Sequence, residues 1–190
     1  MDDFVTVVSG MPRSGTSLLM QMLRAGGISV LTDGIRLADA HNPLGYLEYE
    51  PVKRLAADSS WVAGARGHAV KIVYRLLEYL PPSVRYRVLF AERDLREVFA
   101  SQRDMLLARG DAAAEQEESE MIAALAAETA RVEQWMASRE GMDVLNVPYA
   151  GLIAAPREWA ARIAAFLGRG LDVDAMAAAV DPALHRHRRS

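Results

Sequence analysis

Gly10-Met11-Pro12-Arg13-Ser14-Gly15-Thr16-Ser17 sets two glycines around one cation, directly ahead of a run with helical apolar spacing. In such a loop the backbone N–H groups around Gly15 and the helix N-terminus converge on a phosphate, and the Thr16 and Ser17 hydroxyls add donors. A nucleoside-triphosphate loop of the Walker type needs Lys directly after the second glycine. Here Thr16 takes that place and the positive charge has moved to Arg13. Loop chemistry alone fits two readings, a phosphate cradle and a purely structural turn. Two further cations stand out. Lys71 lies inside the apolar run HAVKIVY, where an ammonium is costly unless it reaches a partner or water. Arg93 comes after the apolar run YRVLFA, and Ser101 eight positions later. On a helix that separation is about two turns, roughly 12 Å. The pair could clasp opposite sides of a bulky anion without touching each other, or be an Arg–Asp ion pair at a helix start plus an exposed Ser.

Periodicity sets the elements that position these residues. Phe4–Ser9 reads FVTVVS, a strand buried on both faces, and Leu18, Leu19, Met22 and Leu23 carry the next helix, closed by Gly26-Gly27. From Ile28 to Asn42 the pattern is irregular. A helix is expected over Glu50–Ser60 with Pro51 in its first turn, a buried strand over Ala69–Tyr74, and a short helical turn over Leu76–Leu80. Tyr86–Ala91 is the second clear core strand, and a helix runs from Glu92 to about Arg109. Gly110–Glu120 holds five acidic and no basic residues, which reads as a solvated helix start or loop. A long helix over Ser119–Arg139, a strand over Met142–Val147, an amphipathic helix over Arg157–Leu167 and one or two turns over Val173–Val180 complete the order. Strands alternating with helices predict an α/β fold: three layers, P-loop-like, with a mainly parallel central sheet flanked by helices. Right-handed crossovers bring the loops after Ser9 and Ala91 to the carboxyl end of the sheet, where such folds bind ligands.

Composition narrows the function classes. The chain has 190 residues, 22 Lys plus Arg against 25 Asp plus Glu, and a formal charge of -3. It is expected to form a single domain over 1–190, with 183–190 a flexible basic tail. A broad nucleic-acid-binding face would make it basic, so nucleic acid is not an expected partner. It has no cysteine, which excludes disulfides and thiolate chemistry. No run reaches the roughly 18 apolar residues of a membrane span, and Met1-Asp2-Asp3 is acidic where a signal peptide is basic, so the expected location is cytoplasmic. No H-E-x-x-H or acidic calcium loop is present, and no metal site is expected.

VVSGMPRSGTSLLMQML resembles the 5'-phosphosulfate-binding loop of the sulfotransferase family, and YRVLFAERDLREVFAS resembles that family's strand and helix that bind the 3'-phosphate. His41-Asn42-Pro43-Leu44-Gly45-Tyr46-Leu47-Glu48 is similar to the NP-x-GY-x-E segment of the bacterial members, and Tyr149–Gly168 to their final helix ending in FLG. The likeness spans roughly 4–101 and 143–168, with the motifs in the family's order.

The resemblance implies sulfuryl transfer from 3'-phosphoadenosine 5'-phosphosulfate, without a metal, to a small-molecule, lipid or glycan acceptor carrying a hydroxyl or amine. It implies donor contacts from Pro12, Arg13, Ser14, Gly15, Thr16 and Ser17 at the 5' side and from Arg93 and Ser101 at the 3'-phosphate. Arg13 would set a guanidinium fork on the phosphosulfate oxygens, and Lys71 would stabilise charge at the transferred group. Some members place a catalytic His two residues beyond that Lys; here the position is Val73. For an alcohol or phenol acceptor the base must then come from elsewhere. Glu48 is the first candidate, a carboxylate expected to be partly desolvated so as to take a proton. His41 is the second, and Asp33, Asp39 and His68 are lesser ones. The chain lacks the family's glycine-rich basic RKG-like segment near its end, a place that Arg186-His187-Arg188-Arg189 could take. Two other functions fit part of the pattern: a P-loop kinase-like phosphotransferase, which lacks the loop Lys, and a non-catalytic nucleotide-binding protein.

Overall fold

Strands apolar on both faces must be covered on both faces, and the chain meets that demand with helices. The computed structural model describes residues 3–36, 45–108 and 118–181. Four parallel strands, β1 (Phe4–Gly10), β2 (Ala69–Lys71), β3 (Arg85–Glu92) and β4 (Met142–Pro148), form one sheet in the order β2-β1-β3-β4. β1 is fully inside, with Val5, Val7 and Val8 removed from solvent.

The α-helices among the described residues are α1 (Thr16–Ala25), α2 (Leu95–Ala108), α3 (Glu118–Ala137), α4 (Tyr149–Ala154), α5 (Pro156–Leu167) and α6 (Val173–Ala178). Alternation along the strands sorts them between two cores. Val5, Val7, Val88 and Phe90 face Val132 and Met136 of α3, with Leu95 of α2 packed alongside. Val8, Leu89 and Val147 face Leu19, Leu23, Leu152, Ile163 and Met176 of α1, α4, α5 and α6. The expected three-layer parallel α/β fold is the one observed.

Crossovers leave β1 and β3 in opposite directions. β1 leads through α1 to β2 on one side, and β3 leads through α2 and α3 to β4 on the other, so their helices cover opposite faces. A crevice opens between the carboxyl ends of β1 and β3, as at any such reversal of strand order.

Three expected elements differ. The helix over Glu50–Ser60 is a 3-10 turn over Glu50–Arg54, with another over Ser60–Ala65. Asp58 separates them, its Oδ1 accepting from the Ser60 N–H and hydroxyl at 3.0 and 2.7 Å, a local bond that competes with helix continuation. β2 stops at Lys71, three residues short of the expected end, and the chain turns into a 3-10 helix over Tyr74–Tyr79. α2 begins at Leu95 because Asp94 turns its carboxylate onto the Arg96 N–H at 2.8 Å. The predicted basic tail and most of the acidic stretch lie outside the described residues. Among the described residues no helix is long and apolar enough to cross a membrane.

Candidate active site

All four strands run the same way, so the loops after Gly10, Lys71, Glu92 and Pro148 meet on one edge. The glycine loop sits at the centre. Gly10 has φ 144°, and a Cβ there would lie 2.6 Å from the Ala91 carbonyl oxygen and the Ser14 Oγ. Gly15 has φ 103°, and a Cβ would lie 2.5 Å from Tyr149 Cδ2. Both positions therefore need glycine for conformation and for space. Gly15 is the N-cap of α1 and no side chain caps that helix, which leaves first-turn N–H groups at Thr16 and Ser17 for an anion.

Arg13 adopts a left-handed φ of 71°, a conformation that costs a non-glycine residue about 1–2 kcal/mol. Two long-range hydrogen bonds hold it. Its Nε donates to Ser101 Oγ at 2.9 Å, and its carbonyl accepts from Arg93 Nη1 at 3.1 Å. The two residues expected at the 3'-phosphate thus meet through a third, the cation of the glycine loop. Arg93 also pairs with Glu97, Nε to Oε2 2.9 Å, and its guanidinium lies 4.5 Å from the centroid of the Tyr149 ring. Glu97 is the residue one helical turn on. Burial raises the Tyr149 phenol above its usual range, and the Arg93 charge opposes that shift.

The other predicted loop residues divide by orientation. Pro12 is exposed, and Thr16 and Ser17 are half-buried at the helix start. Ser14 is buried and donates both its hydroxyl and its N–H to the Met11 carbonyl, at 2.7 and 3.2 Å. Its side chain braces the turn.

Lys71 ends β2 beside α1. Its ammonium donates to the Tyr46 carbonyl and to Ser17 Oγ at 3.4 Å, and stands 3.7 Å from Glu48 Oε1. Its side chain is 11% exposed. Burial depresses it to about 8, against the Glu48 charge that raises it, with Arg36 adding to the depression. The expectation that this ammonium finds partners is met, and two of them belong to the family-like segment.

Glu48 lies between two cations. Arg36 Nη1 reaches the same oxygen, Oε1, at 2.7 Å, and the Arg36 guanidinium lies 3.4 Å from the centroid of the Tyr46 ring. From the sequence this carboxylate is expected to be partly desolvated; its side chain is 30% exposed and its neighbours are two cations. Asp33 braces the same segment. It accepts the Ile35 and Glu50 N–H groups and donates its own N–H to the Glu48 carbonyl, and the two accepted bonds hold its carboxyl below the ordinary range. His68 precedes β2 at the opposite edge of the sheet, with Nδ1 3.0 Å from the Arg66 carbonyl oxygen. His41 and Asp39 lie outside the described residues. Val73, where some sulfotransferases carry His, is exposed at 45% just past Lys71.

Sequence reasoning misses Arg36, Tyr46 and Tyr149 as site residues. Tyr149 has one sequence cue, its place directly after a core strand. Arg36 has none, since it meets Tyr46 and Glu48 across a segment without periodicity.

No protein-family model and no curated protein matches the sequence. Solved structures do match. The sulfotransferase domain from the curacin biosynthetic pathway superimposes with a TM-score of 0.56 at 16% identity, over 97% of this chain and 86% of that one. Mouse sulfotransferase SULT7A1 complexed with PAP gives a TM-score of 0.52 at 19% identity, over 94% of this chain and 63% of that one. The fold is a sulfotransferase fold. Within that fold, the glycine loop, Lys71 and Arg93 stand at the carboxyl edge of the sheet.

Proposed function

We propose that the protein transfers a sulfuryl group from 3'-phosphoadenosine 5'-phosphosulfate to a hydroxyl or amine. The observation that carries this reading is the convergence of Arg93 and Ser101 on Arg13. A loop for the 5' side then adjoins Arg93 and Ser101, the residues expected at a ribose 3'-phosphate, an arrangement that suits a nucleotide with phosphates at both positions. The Cβ-intolerant bends at Gly10 and Gly15 and the uncapped start of α1 fit a phosphate drawn close to the backbone. Thr16 occupies the place of the Walker Lys, which argues against Mg-nucleoside triphosphate and the kinase-like reading.

The donor supplies an activated sulfuryl group, and the protein orients it and stabilises charge. Arg13 and the first turn of α1 hold the 5'-phosphate, where the electron pair of the breaking S–O bond collects. Lys71, beside Ser17, balances charge on the sulfuryl oxygens. Glu48 takes the acceptor's proton as the new bond to sulfur forms. His41 is the second candidate for that role. Each of these side chains neutralises an anion or takes a proton, and no step is assigned to a metal.

Calorimetry tests the donor. Adenosine 3',5'-bisphosphate is expected to bind without magnesium and more tightly than Mg-ATP. Tight, magnesium-dependent ATP binding with none of the bisphosphate overturns the reading.

A further inference from the structure

Both cations around Glu48 sit on one oxygen. Arg36 Nη1 is 2.7 Å and Lys71 Nζ 3.7 Å from Oε1, and among the described residues the hydrogen bond to this carboxylate ends on Oε1, not Oε2. A carboxylate pinned through one oxygen presents the other in a fixed direction. Arg36 is itself held, because its guanidinium carbon stands 3.4 Å from the centroid of the Tyr46 ring, and the Tyr46 carbonyl accepts from Lys71. Lys71 in turn touches Ser17 at the start of α1. Arg36, Tyr46, Glu48, Lys71 and Ser17 therefore form one chain of contacts from the family-like segment to the loop of the proposed donor site.

We infer that Arg36 is a positioning residue for the transfer reaction, holding Glu48 with Oε2 toward the acceptor. The inference rests on the sulfotransferase reading and on Glu48 as base. The balance is complete: the acceptor oxygen bonds to sulfur, the bond from sulfur to the 5'-phosphate oxygen breaks with its electron pair, and the acceptor's proton passes to Oε2. Arg36 acts on Glu48 through its grip, which orients the carboxylate; misplacing a catalytic group by about 1 Å costs on the order of 100-fold.

The test compares two phenols of different acidity as acceptors, at about pH 8, with the full chain and the phosphosulfate donor. Phenol is protonated there, with a pKa near that of Tyr at about 10, and needs a base; 4-nitrophenol is largely ionised and does not. Arg36→Gln is expected to lower kcat for phenol about tenfold or more, with a loss several-fold smaller for 4-nitrophenol and little change in bisphosphate affinity. Arg36→Lys, which keeps a charge for Glu48 but not a plane for Tyr46, is expected to restore part of the phenol rate. Equal losses for both phenols, or a faster phenol reaction in the Gln variant, overturns the positioning role and leaves the sulfotransferase reading standing. Bisphosphate that fails to bind the wild-type protein, with no transfer to either phenol, overturns that reading and this inference together.

Discussion

A lysine held at about 8 loses its charge just above physiological pH, and that makes Lys71 the residue whose titration the proposed reaction should feel. Its folded value lies below the ordinary 10.5 because burial outweighs the attraction of Glu48. In the proposed reaction the charged form is the one that balances the sulfuryl oxygens. The second-order rate kcat/KM, which reports the free enzyme, is therefore expected to fall as pH rises through about 8. An anionic donor favours the ammonium, so the same limb in kcat should lie higher. Lys71→Arg should remove it altogether from the accessible range. A rate profile flat from pH 7 to about 9.5 in the wild-type protein would detach Lys71 from the chemistry.

The same group has a stability consequence. Because the folded pKa is depressed, the unfolded chain binds the extra proton between about 8 and 10.5. The cost to the fold is complete below the folded value and disappears as pH rises through that window. Lys71→Met, an apolar group in a buried strand position, is expected to stabilise at neutral pH by about 1–2 kcal/mol after discounting for its remaining contact with water. In a chain of this size that raises Tm by about 2–8 °C. Thermal melts at neutral pH and near pH 10.5 check it: the gain should shrink at the higher pH.

At the scale of elements, the loop after β1 is locked by Tyr149, the first residue beyond β4. The Gly15 Cα faces the Tyr149 ring so closely that a methyl group would meet Cδ2 at 2.5 Å, in a conformation that L side chains avoid. Gly15→Ala is expected to cost about 3 kcal/mol, lowering Tm by about 6–12 °C. Pairing it with Tyr149→Ala relieves the clash but not the φ penalty, so the double variant should recover only part of the loss. Arg93 ties the next loop to the same place. Arg93→Ala is expected to weaken adenosine 3',5'-bisphosphate by about 2–4 kcal/mol. Adenosine 5'-phosphate should weaken less, but measurably, because the bond to the Arg13 carbonyl goes too. Equal losses for both nucleotides would place Arg93 outside the 3' subsite.

These elements also mark what a sequence can disclose. β1 and β3 are legible because burial on both faces forces continuous apolar runs, and α1 and α5 because each keeps an apolar stripe and ends at glycine. The glycine loop is legible as the turn between β1 and α1, whereas Arg93 and Ser101 stand out through the sulfotransferase resemblance and not through periodicity. The expected helix over Glu50–Ser60 fails where Asp58 offers the Ser60 backbone a closer partner than the next helical turn. The cationic surround of Glu48 is hidden for a different reason: Arg36 reaches it across twelve residues by a side-chain contact that no periodicity encodes.

At the scale of the whole molecule, the proposed donor site touches the ends of several strands at once. Arg13 lies just past β1, Lys71 ends β2, Arg93 comes directly after β3 and Tyr149 directly after β4. Parallel strands with long-range pairing do not unfold one at a time, so a ligand bridging their ends should be felt in global unfolding. Ligand that binds only the native state stabilises by mass action, about 2.7 kcal/mol at 100 times Kd. For a chain of 190 residues that is a rise in Tm of about 5–10 °C. The bisphosphate is expected to give this rise with or without magnesium, Mg-ATP a smaller one at equal concentration, and adenosine 5'-phosphate less than the bisphosphate because Arg93 and Ser101 lose their anion. Scanning fluorimetry with the three nucleotides, each with and without a chelator, decides between them. A shift from ATP that vanishes with the chelator, beside none from the bisphosphate, would move the function of this edge from sulfuryl to phosphoryl transfer.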